Sequence, residues 1–89
     1  MTTLKINLID GEFTPEEARE LVIDLINKKI QFHSVKSHEN WAKNGMVDTF
    51  SDNRIKELEQ ARNSVLELTK SEHSQEIKMK INSFIEIEG

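Results

Sequence analysis

The chain has 89 residues, 36 % of them apolar and 31 % charged, with one Pro, three Gly, no Cys and a formal net charge of -4. A chain of this length makes one domain, spanning 1–89, and buries only about 60 to 65 % of the surface it exposes unfolded, which argues against a deep catalytic pocket. Without cysteine there is no disulfide framework, thiolate metal site or cysteine nucleophile; no apolar run approaches the roughly 20 residues of a membrane span, and the acidic balance repels nucleic-acid phosphate unless a local basic patch offsets it. These features, with an N-terminus that lacks the apolar stretch of a signal peptide, point to a cytoplasmic protein with protein partners.

The first element is a strand in which Leu4, Ile6 and Leu8 alternate with Lys5 and Asn7, stopped by the turn-forming pair Asp10-Gly11. Thr14-Pro15-Glu16-Glu17 then supplies a helix N-cap, a proline at the first helical position and a glutamate placed to return a hydrogen bond to the cap. Ala18, Leu21, Val22, Leu25 and Ile26 share one stripe of this helix, and Glu16, Glu17 and Lys28, Lys29 complement its dipole. Ile30, Phe32 and Val35 interleaved with Gln31, His33 and Ser34 predict a second, shorter strand. An irregular stretch from Ser37 to Phe50 follows, holding at most one helical turn that starts at Ser37 and ends at Asn44-Gly45.

Ser51 or Asp52 is placed to cap a second helix reaching about Lys70, with Leu58, Ala61, Val65 and Leu68 on one stripe and Ile55 and Leu66 beside it. The last strand is the clearest signal: Ile77, Met79, Ile81, Ser83, Ile85 and Ile87 alternate with Glu76, Lys78, Lys80, Asn82 and Glu86. A period of two places alternate side chains on opposite faces, so one face is dry and the other polar. The order is strand, helix, strand, helix, strand. Single dry faces on the helices and the last strand predict an α/β (α+β) two-layer sandwich: both helices on one face of a three-stranded mixed sheet, the last strand running antiparallel.

No phosphate loop, nucleophile elbow or serine-histidine-acid framework is present, so the reading is non-enzymatic and without a cofactor. His33, His38, Glu39 and His73 match no metal-ligand spacing. Two regions remain for recognition. The open sheet face should show Lys5, Asn7, Gln31, His33, Lys78, Lys80, Asn82 and Phe84, and lysines beside an aromatic ring can bind single-stranded nucleic acid. The long loop holds Trp41, Met46, Val47 and Phe50 with His38 and Lys43, either a recognition element or a cover for the core. The candidate interaction residues are therefore His38, Trp41, Lys43, Lys5, Lys78, Lys80 and Phe84. The function expected first is a small protein-interaction module, homodimeric through the last strand's edge or the open sheet face. A nucleic-acid-binding regulator using the basic face is the alternative.

Overall fold

The structure is a computed structural model that describes residues 2–70 and 78–89. Its elements are β1 (Thr3–Phe13), α1 (Pro15–Asn44), α2 (Thr49–Leu68) and β2 (Met79–Glu88). Strands β1 and β2 pair antiparallel in a two-stranded ribbon, and α1 and α2 form a helical hairpin inserted between them in the chain. The fold is thus α+β in β-α-α-β order. The three-stranded sandwich in β-α-β-α-β order is incorrect, because residues 30–35 are helical and supply no middle strand.

Helix α1 begins as its sequence dictates. The Thr14 hydroxyl accepts a hydrogen bond from the Glu17 amide (3.1 Å), and the Glu17 carboxylate accepts one from the Thr14 amide (2.9 Å). That amide, the Thr14 side chain and the more distant Lys78 charge hold the Glu17 carboxyl below its ordinary pKa. The helix then runs for 30 residues. Neither glycine nor proline interrupts it between Pro15 and Gly45. Gly45 ends it in the left-handed conformation (φ 64°), with its amide donating to the Trp41 carbonyl, so the stop expected at Asn44-Gly45 is where the chain turns.

The hairpin explains why the predicted strand at Ile30, Phe32 and Val35 is helix instead. Ile23, Ile26, Ile30, His33, Ser37 and Asn40 are half-buried or buried and recur in alternating steps of three and four, the seam of a helix packed on another helix. On α2 the matching seam is Ser51, Ile55, Leu58, Arg62, Val65 and Thr69. Of the stripe expected there, Leu58 and Val65 belong to the seam, whereas Ala61 and Leu68 are exposed. Polar groups fix the register at both ends. The Arg19 guanidinium donates to the Thr69 hydroxyl (3.2 Å) and carbonyl (2.8 Å), which places a cation at the C-terminus of α2. At the other end Ser37 donates to Asp52 (3.0 Å) and Asn40 to Asp48 (2.9 Å). Asp48, rather than Ser51 or Asp52, caps α2: its carboxylate accepts from the Ser51 amide (3.0 Å) and hydroxyl (2.8 Å).

The ribbon also departs from the expected strand. Chain β1 passes through Asp10-Gly11 without turning, because Leu8 is an extra residue without a partner: Asn7 faces Phe84 and Ile9 faces Ser83. Such a bulge shifts the alternation by one residue. Leu4 and Ile6 before it, and Ile9, Gly11 and Phe13 after it, therefore share the face of Met79, Ile81, Ser83, Ile85 and Ile87. The dry face expected of the last strand is continued across β1. Its Ile77 and the turn expected at Ser71 to Gln75 lie outside the described residues.

Candidate interaction surface

The molecule spans 52 × 35 × 13 Å, its thinnest dimension being that of a single helix with its side chains. Packed as one layer, it covers very little. Among the described residues Ala18 is the one apolar residue that is buried apart from Pro15 at the start of α1, whereas 16 large apolar side chains are at least 39 % exposed. Leu66 and Leu68 on α2 and Phe84 on the other face of the ribbon stand apart, and the rest are arranged in three places.

The first is the dry face of the ribbon. Near α1 its residues Ile9, Phe13, Met79 and Ile81 are half-buried, but Leu4, Ile6, Ile85 and Ile87 at the far end are exposed. The second is the edge of α1 turned away from α2, where Leu21, Leu25, Phe32 and Val35 recur at one helical angle. The two surfaces are continuous, since Leu8, Ile9 and Phe13 of the ribbon and Leu21 and Leu25 of α1 line one open groove of about 610 Å³, rimmed by the carboxylates of Glu17, Glu20 and Asp24. A second groove of about 550 Å³ extends along α1 past Phe32 and Val35. Leu21 and Leu25, expected in the core, and Phe32 and Val35, expected in a strand, are thus exposed neighbours on one helix. Their spacing of i, i+4, i+11 and i+14 was the available signal that they form one stripe.

The third is the tip of the hairpin, with Trp41, Met46, Val47 and Phe50 each at least 60 % exposed. The predicted loop from Ser37 to Phe50 is thus the end of α1, a short connection and the start of α2. His38 and Trp41 come together there, lining a shallow groove with Val47 and Ile55, while Lys43 lies in the last turn of α1. Replacing Trp41 by alanine is expected to change the unfolding free energy by no more than about 0.5 kcal/mol in chemical denaturation, since so exposed a side chain covers little.

The remaining candidates lie on or next to the ribbon. Lys5, Lys80 and Phe84 share its polar face with Asn7 and Asn82, and the Lys5 ammonium stands 5.6 Å from the centre of the Phe84 ring. Lys78 immediately precedes β2 and acts on Glu17. Gln31 and His33, expected on that face, are in α1. The face is not basic: Lys5 is opposite Glu86 and Lys80 opposite Glu12, with Asp10 and Glu88 adding further negative charge. Such mixed cross-strand pairs suit a solvated surface better than a phosphate backbone.

His33 is the buried titratable group of the hairpin seam. It is 4 % exposed, neither ring nitrogen has a hydrogen-bond partner among the described residues, and its ring meets Phe32 and Phe50 edge-on at 5.4 and 6.3 Å. Burial lowers its pKa, and the positive charges of Lys29, Arg54 and Lys36 lower it further against a smaller opposing effect of Asp48. Of the other histidines considered as metal ligands, His73 lies outside the described residues, and His38 is exposed near the tip. No helix among the described residues is long and apolar enough to cross a membrane. Compared with known proteins, the chain matches no family model, no curated protein and no solved structure.

Proposed function

We propose that the chain is a small non-enzymatic interaction module that works as a homodimer, the ribbon and α1 supplying the contact. One observation carries this reading: Leu4, Ile6, Ile85 and Ile87 of the ribbon and Leu21, Leu25, Phe32 and Val35 of α1 are exposed in surface stripes, while Ala18 and Pro15 are the buried apolar residues among those described. Folding stability comes mainly from removing apolar surface from water, and a two-stranded ribbon with an uncovered dry face is marginal alone. Association supplies the missing cover. Exposed apolar patches of this extent on a small soluble protein mark protein contacts. The hairpin tip, with Trp41 beside His38, is left outside that contact for a further partner.

Sedimentation equilibrium of the full chain at micromolar concentration tests the reading. The expected result is a species of twice the 10.3 kDa chain mass. A single monomeric species throughout a dilution series contradicts it.

A further inference from the structure

The groove between ribbon and α1 needs a specific occupant, and the geometry points to the exposed end of the ribbon of a second copy. We propose a two-fold dimer in which Leu4, Ile6, Ile85 and Ile87 of each copy lie on the Leu21, Leu25, Phe32 and Val35 stripe of the other. The inference rests on the homodimer reading above and names the surface that forms it.

The amount of surface left over fits a partner of the same size. A compact monomer of this mass exposes about 5,400 Å², whereas this chain exposes 7085 Å². The excess, about 1,700 Å², falls within the roughly 1,000 to 2,500 Å² that each subunit of an obligate dimer loses. The chain is also extended, with a radius of gyration of 16.4 Å against about 12 Å for a compact chain of this length.

The shapes match as well. From Leu4 to Leu8 the ribbon is about 13 Å long, and the α1 stripe from Leu21 to Val35 runs about 21 Å, long enough to seat it. One copy carries both the protruding arm and the receiving stripe, so a two-fold arrangement fills both at once and closes the assembly at two. The charge pattern orients the ribbon, because its opposite face pairs Lys5 with Glu86 and Lys80 with Glu12 and is suited to water. A ribbon whose own stability depends on this cover needs an occupant present whenever the chain is made, and a second copy meets that condition.

The chain contains no cysteine, so single cysteines report proximity without background. Full-length Ile85→Cys and Phe32→Cys chains are mixed and treated with a short bismaleimide, with Asn53→Cys on α2 replacing Phe32→Cys as the control. Cross-linking of Ile85→Cys to Phe32→Cys at least about tenfold faster than to the control supports the proposal. Equal rates from a chain that sediments as a dimer overturn this geometry and leave the homodimer reading standing; a wild-type chain that sediments as a monomer overturns both, and another protein then covers the groove. A second variant, Val35→Glu, changes a stripe side chain that is 50 % exposed within its own copy, and circular dichroism checks that the variant is folded. It is expected to weaken self-association by roughly thirtyfold or more. Unchanged association of a folded Val35→Glu chain overturns the proposal.

Discussion

Replacing Gln31 by proline removes about 3 kcal/mol or more of stability and lowers the helical circular-dichroism signal. Gln31 lies in the middle of the 30-residue α1, where its amide bonds to the preceding turn and a proline ring collides with that turn's carbonyl. The side chain is exposed, so the loss comes from the backbone alone. A companion substitution separates helix from strand, since proline harms both. Gln31→Thr costs a few tenths of a kcal/mol in a helix interior and is favourable in a strand. Chemical denaturation of the two variants gives the signs: a Gln31→Thr chain more stable than wild type contradicts a continuous α1.

Acidification from pH 7 to pH 5 lowers the unfolding midpoint of the wild-type chain, and His33→Phe abolishes most of that fall. His33 is buried against Phe32 and Phe50 without a hydrogen-bond partner, so the folded state disfavours its charged form. Its folded pKa therefore lies below the unfolded value of 6.5. The unfolded chain binds more protons between the two values, so stability rises with pH across that window. The contribution is fully present above 6.5 and is lost as pH falls through the folded pKa. Glu17 and Asp48, whose pKa values are lowered by hydrogen bonds to Thr14 and Ser51, act separately: their stabilisation is lost below the ordinary carboxylate range. A wild-type and a His33→Phe chain with the same decline between pH 7 and pH 5, measured by thermal melts at one protein concentration, contradict the assignment.

The parts of the fold written in local chemistry were legible. The cap at Thr14 and its reciprocal Glu17 involve four consecutive residues, and Gly45 ends α1 through its own backbone freedom. The alternation from Met79 to Ile87 likewise gave the dry face of β2. What failed depended on distant partners. Ile30, Phe32 and Val35 are β-branched or aromatic and interleaved with polar residues over six positions, which imitates a strand, yet Ile30 faces α2 while Phe32 and Val35 belong to the outer stripe of the same helix. The seam was hidden because Ser37, Asn40, Ser51, Arg62 and Thr69 are polar, and apolar spacing alone selects Ala61 and Leu68 instead. The bulge at Leu8 concealed the second half of β1 by shifting its phase.

The candidate site was legible only in its chemistry. Trp41 and His38 do share a groove at the hairpin tip, but on helix rather than loop. The lysines of the expected basic face, Lys5 and Lys80, do lie on one face of the ribbon, but their acidic partners Glu86 and Glu12 became visible only with the register. The groove between ribbon and α1 is lined by residues 8–25 of β1 and α1, and it was hidden because the bulge at Leu8 masks which residues of β1 turn toward the helix.

The central claim is that this single-layer molecule completes its core by association. The most direct test is the concentration dependence of unfolding. If two chains fold together, the free energy of the dimer relative to unfolded chains at working concentration gains about 1.4 kcal/mol for each tenfold increase in protein. The denaturation midpoint of the full chain is therefore expected to rise steadily across a concentration series, in step with the dimer fraction seen by sedimentation. A midpoint that stays constant from the lowest to the highest concentration would contradict the account.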